Sequence, residues 1–127
     1  MEVKEIKGRI LKNGLGWRLG WHPEADTYRG LVGGEDWAFE LTEEEWQDFC
    51  RLLGQLGETM SQMAGELMEE ERITCQVESD RLWLEAEGFP HAYELRLILN
   101  SGRRCEGNWS ADAVGELVAV APMLAVF

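Results

Sequence analysis

Residues 42–68 read TEEEWQDFCRLLGQLGETMSQMAGELM, and this run decides how the rest of the chain is organised. Thr42 followed three residues later by Glu45 is a capping box, in which a hydroxyl and a carboxylate each accept a backbone N–H at a helix start. Trp46, Phe49, Cys50, Leu53, Leu56, Met60, Met63 and Leu67 then recur at steps of three and four, which gathers them on one helical face. Glu43, Glu44, Gln47, Asp48, Arg51, Gln55, Glu58 and Gln62 fall on the remaining surface, and the early acids suit the positive end of the helix dipole. The pattern predicts one helix from Thr42 to about Met68, roughly seven turns. Gly54, Gly57 and Gly65 each cost about 0.5–1 kcal/mol against alanine, so they mark a close approach of the sheet or a bend. A break near Gly54 to Gly57 is the alternative.

On both sides of this helix the apolar period changes to two. Trp17, Leu19 and Trp21 share one face of a strand, with Gly14 and Gly16 allowing a bend before it and Pro23 helping to end it. Tyr28 to Val32 reads as a second strand, Gly33-Gly34 as a turn, and Trp37, Phe39 and Leu41 as a third strand. Beyond the helix, Ile73, Cys75 and Val77 alternate up to a turn at Ser79-Asp80. Leu82, Leu84 and Ala86 continue the pattern while Trp83 faces the other way, and Gly88-Phe89-Pro90 turns the chain. Tyr93, Leu95, Leu97 and Leu99 then align opposite Arg96 and Ile98, and a shorter strand ends near Trp109. Ser110 opens a last helix carrying Val114, Leu117, Val118 and Ala121, its regular part limited by Pro122. The expected fold is α+β, in the order three strands, long helix, four strands, short helix. A curved antiparallel sheet lies on the long central helix, and residues 1–127 form a single domain. Asp36 to Glu44 and Glu106 to Asp112 are loosely alike, which fits a pseudo-duplicated fold.

Composition narrows the function. Twenty-four acidic side chains against 12 Lys and Arg give a formal net charge of -12, which repels phosphate backbones and anionic membranes and favours basic protein partners or plain solubility. Arg18, Arg29, Arg81, Arg96, Arg103 and Arg104 lie in the strand-rich parts, so a sheet face less negative than the average is one outcome of folding. Cys50, Cys75 and Cys105 are odd in number and widely spaced, not a disulfide framework. The N-terminus MEVKEIKGRI lacks the apolar region of a signal peptide, and no apolar stretch approaches the ~20 residues of a membrane span. A cytoplasmic location and no membrane association are the expectations.

Three stretches carry a resemblance: Gly14-x-Gly16-Trp17-Arg18-x-Gly20-Trp21, Tyr28 to Ala38, and Arg103 to Trp109. They resemble a small cyanobacterial family of unknown function, DUF1818, over nearly the whole chain. That family in turn resembles in fold the single-stranded-DNA-binding transcriptional regulators, the PC-four-like coactivators and plant Whirly proteins. The resemblance implies a strongly curved sheet backed by helices, and it brings no catalytic or binding residues. The nucleic-acid-binding relatives present basic strand faces, whereas this chain has only Lys4, Lys7 and Lys12.

Six tryptophans are the feature most in need of explanation. Trp17, Trp21, Trp37 and Trp46 are placed toward the core. Trp83 is placed on the outer sheet surface with Arg81, Arg96 and Ile98, where it serves core packing, a protein contact or base stacking. Gly14-x-Gly16 lacks the setting and the Lys-Ser or Lys-Thr ending of a phosphate loop and reads as bend glycines. His22 and His91 sit beside prolines in turns with no ligand at metal spacing, so no metal and no cofactor are expected. Cys50 with a distant His91 would form a nucleophile and base, but Cys50 lies on the apolar helix stripe. The expected function is therefore a non-catalytic interaction or regulatory protein with an acidic surface. Binding of single-stranded nucleic acid on the outer sheet face is the alternative, and a small-molecule enzyme the minor one. An open sheet edge and three helix methionines are compatible with a homodimer.

Overall fold

The computed structural model describes residues 9–66, 71–100 and 102–124. Strands β1 (Ile10–Gly14), β2 (Trp17–Trp21), β3 (Tyr28–Gly33) and β4 (Ala38–Thr42) form an antiparallel meander that leads into α1 (Glu43–Ala64). Strands β5 (Ile73–Glu78), β6 (Leu82–Phe89), β7 (Ala92–Leu99) and β8 (Glu106–Trp109) form a second meander that leads into α2 (Ala111–Leu124). The chain is thus one unit twice over, four antiparallel strands followed by a helix.

Two expectations are overturned. The first half has four strands rather than three, because Ile10–Gly14 pairs with Trp17–Trp21 across the two-residue turn Leu15-Gly16, where Gly16 has φ 77. Strand β1 was illegible because it is an edge with Leu11, Lys12, Asn13 and Gly14 all exposed, so it carries no apolar alternation. Nor is there one curved sheet on one long helix. The strands hydrogen-bond as two separate, open four-stranded sheets, and each of the two helices touches both of them. Alternation shows which face of a strand is buried, but not which strands share a ladder.

The α1 stripe is buried as its spacing requires: Trp46, Phe49, Leu53, Leu56 and Met60 are at most 1% exposed. Met63 is half-buried and the helix ends at Ala64, with Gly65 as its C-cap; Leu67 and Met68 lie outside the described residues. The capping box is present, with the Thr42 hydroxyl accepting from Glu45 N and Glu45 Oε1 accepting from Thr42 N. α1 is unbroken across Gly54 to Gly57. The close approach at Gly57 is to the other helix, not to a sheet: a Cβ there would sit 2.7 Å from Val118 Cγ1. Strand β6 runs on through Gly88 and Phe89, and α2 continues through Pro122 to Leu124.

Side chains join the two sheets. The Trp37 indole donates to Asn108 O at 2.9 Å, and the Trp109 indole donates to Gly33 O at 2.8 Å, so each sheet sends a tryptophan to the other's backbone. The Trp37 ring lies where a Cβ on Gly107 would be, which leaves no room for any side chain at that position in β8. Arg103 donates to Glu40 O and to the Glu45 carboxylate, with its guanidinium 4.6 Å from the Tyr28 ring centre. Rings of Trp21, Trp46, Phe49, Trp109 and Trp37 follow one another at 5.0 to 6.3 Å through the interior. The result is one contiguous core fed by both meanders and both helices.

Candidate interaction surface

The outer face of the β5–β8 sheet is set by register. Trp83 is paired with Glu78 on one side and Ile98 on the other, Glu85 with Gln76 and Arg96, and Glu87 with Thr74 and Glu94. Ile98 and Arg96 are in turn paired with Glu106 and Asn108. Because paired residues point the same way, this face carries Glu78, Glu85, Glu87, Glu94 and Glu106 together with a half-buried Trp83 and Ile98. The inner-face partners Leu82, Leu84, Leu97 and Leu99 are buried in the core.

Of the four residues expected in this patch, three are together. Ile98 lies directly opposite Trp83, and the Arg96 guanidinium is 5.9 Å from the Trp83 ring centre. Arg96 also reaches Glu106 at 3.0 Å. Arg81 is diverted: it donates to Asp48 of α1 at 3.3 Å, and that carboxylate also receives the Ser79 hydroxyl at 2.7 Å. Arg18, Arg29 and Arg103 are likewise engaged elsewhere. Arg18 is bound to Trp37 O, Arg29 to Glu43, and Arg103 to Glu45. Each is spent on a neighbour from its own fold.

Sequence reading missed the carboxylates of this face. The signal was available, since the alternation that turned Arg96 and Ile98 outward also turned out Glu94, and that of Trp83 carried Glu85 and Glu87 with it. Glu87 and Glu94 stand directly opposite one another, an arrangement that costs a sheet stability. A small depression of about 110 Å³ lies among Glu85, Glu87, Glu94, Arg96 and Asn108.

Of the remaining candidates, Cys50 is accounted for by packing. Cys50 is 4% exposed, and burial pushes its thiol pKa up to about 12, which suppresses the nucleophilic thiolate. His91 is exposed in the β6–β7 turn. His22 borders a depression of about 130 Å³ with Tyr28, Arg29 and Glu40, well below the roughly 300 Å³ where ligand pockets begin. Among the described residues no group of three or more His, Cys, Asp and Glu is placed to hold a metal ion. No described helix is long and apolar enough to cross a membrane.

The Gly-Trp-rich stretches have an architectural role. Gly33, Trp37, Asn108 and Trp109 are the donors and acceptors that fasten sheet to sheet, and Arg18 holds Trp37 O from within the first sheet. Residues 12–124 match the family model of a domain of unknown function, DUF1818. The chain belongs to the DUF1818 family. A crystal structure of a protein of unknown function from the DUF155 family of Prochlorococcus sp. NATL2A is also similar, at 30% identity and a TM-score of 0.86. That match covers 91% of this chain and 98% of the other. It corrects the expected likeness to PC-four-like and Whirly single-stranded-DNA-binding regulators: this DUF1818 chain shares its two open sheets and two helices with a DUF155 protein instead. No curated protein matches the chain.

Proposed function

We propose that the protein is a non-catalytic interaction or regulatory protein that offers the outer face of its β5–β8 sheet to a basic protein partner. One observation carries the reading: five carboxylates, those of Glu78, Glu85, Glu87, Glu94 and Glu106, share a single sheet face with the Trp83–Ile98 pair. Half-buried apolar groups on a face where five carboxylates outnumber Arg72 and Arg96 supply contact area and steering. The directly opposed Glu87 and Glu94 support it, because Arg72 pairs with Glu87 alone and leaves Glu94 opposite a like charge. Single-stranded nucleic acid is disfavoured by the same carboxylates, and the face of Trp83 is already covered by Arg96.

The test is titration of a lysine- and arginine-rich peptide, followed by fluorescence anisotropy at several salt concentrations. Saturable binding that weakens with salt is expected. Neutralising Glu87, Glu94 and Glu106 to glutamine should abolish most of it, while neutralising Glu24 and Asp26 on the β2–β3 turn should not. Equal losses from both sets would reduce the effect to net charge and end the proposal. A labelled single-stranded oligonucleotide should not bind even at low salt.

A further inference from the structure

Each four-stranded sheet has two outer strands, and three of these four edges are occupied or protected. The backbones of β4 and β8 accept side chains from the opposite sheet, Arg103 on Glu40 O and Trp37 on Asn108 O. Strand β1 has Lys12 paired with the fully buried Leu19, so the lysine lies on the core side of the edge. An inward charge of this kind is a recognised guard against further pairing, since a strand laid alongside would trap it.

Among the described residues, strand β5 has no such guard. It is six residues long, contains no proline or lysine, and pairs with β6 without a bulge. Among the described residues no strand pairs with its other edge. Its core-side residues Ile73, Cys75 and Val77 are only half-buried, unlike the fully covered leucines of β6 and β7.

We infer that β5 pairs antiparallel with β5 of a second copy of this chain, about a two-fold axis at Cys75. This register is self-complementary over its whole length. Ile73 faces Val77 of the second copy, Thr74 faces Gln76, Cys75 faces Cys75, and Arg72, one position before the strand, faces Glu78. Apolar residues meet apolar ones on the core side, polar ones meet on the outer side, and a pair of opposite charges closes each end. Arg72 lies outward already, 3.4 Å from Glu87 and over the Phe89 ring, so it borders the second copy's Glu78 without leaving its own sheet. Shared-face contact of this kind is the isologous geometry of two-fold dimers. The dimer joins the two β5–β8 sheets into one of eight strands and sets both acidic faces on the same side. It does not depend on a basic partner: a chain that dimerises but ignores the peptide keeps this inference and loses the previous one.

Sedimentation velocity across a range of concentrations, combined with charge reversal, tests it. The unaltered chain should pass from monomer to dimer. Arg72→Glu and Glu78→Arg should each weaken the dimer about tenfold, since each turns two attractive cross-strand pairs into repulsive ones. The double variant should restore it, because the pairs are then opposite again. Both positions are exposed, so the reversals cost the fold no more than the surface Arg72–Glu87 pair, which far-ultraviolet circular dichroism of each variant checks. A short bis-maleimide should link Cys75 to Cys75 of the second copy, and Cys75→Ser should abolish the link. A monomer at the highest soluble concentration, a dimer indifferent to both single reversals, or a cross-link through Cys105 would each overturn the inference.

Discussion

Asp48 shows how a residue that belongs to the polar side of a helix by spacing becomes interior by contact. It is 8% exposed, although its spacing assigns it to the solvent face. Burial pushes the Asp48 carboxyl up, but hydrogen bonds from Ser79, Arg81 and Arg51 and the nearby Arg81 charge outweigh it and hold the group below 3.8. A lowered folded-state pKa adds stability that is complete above the unfolded value of about 4 and disappears as pH falls through the folded one. Asp48→Asn is therefore expected to cost about 2 kcal/mol near neutral pH. Urea unfolding of both chains at neutral and strongly acid pH should show that deficit shrinking in acid; a constant deficit would mean that the charge is not its source. Cys50 gives a second expectation. With its thiol raised to about 12, it should resist maleimide in the native protein while the half-buried Cys75 and Cys105 react, and mass spectrometry of labelled peptides reads this directly.

Gly54 and Gly57, the two glycines inside α1, separate propensity from packing. Nothing lies within 4 Å of a Cβ placed on Gly54, so Gly54→Ala should stabilise the protein by about 0.5–1 kcal/mol through backbone entropy. At Gly57 the added methyl would meet Val118 Cγ1 at 2.7 Å, and overpacking of this kind typically costs 1–3 kcal/mol, roughly enough to reverse the sign. Thermal melts of the two variants should move in opposite directions. The β6–β7 pair offers a comparable contrast between stability and use. Glu94→Lys turns the opposed Glu87–Glu94 pair into an attractive one and should stabilise the sheet by about 0.5 kcal/mol. It should at the same time weaken binding of the basic peptide. A gain in both would contradict the proposed role of that face.

At the scale of the molecule, the reciprocal indole bonds make the two meanders one body. Trp109 is 2% exposed, and its Nε1 satisfies Gly33 O in the other sheet. Trp109→Phe strands that carbonyl and opens space beside Phe49 and Trp37, at an expected cost of about 3 kcal/mol. Because the core is contiguous across both sheets, the loss should shift a single transition rather than split it. Coincident denaturation curves by tryptophan fluorescence and far-ultraviolet circular dichroism would show this. Separate curves would show two units that unfold alone.

Period and caps were sufficient to read α1, its buried stripe, the strands from β2 onward and the burial of Trp17, Trp21 and Trp46, because each of these is a local consequence of residue order. The outward direction of Trp83, Arg96 and Ile98 was legible for the same reason. The exposed strand β1, the division into two open sheets and the diversion of Arg81 to Asp48 were not. Each depends on which distant backbone groups meet: Trp37 with Asn108, Trp109 with Gly33, Arg103 with Glu40. A two-residue alternation fixes which way a side chain points, whereas sheet membership is decided by long-range pairing that the alternation leaves free. The sequence thus determined the elements and their faces, and only the tertiary structure decided which faces came together.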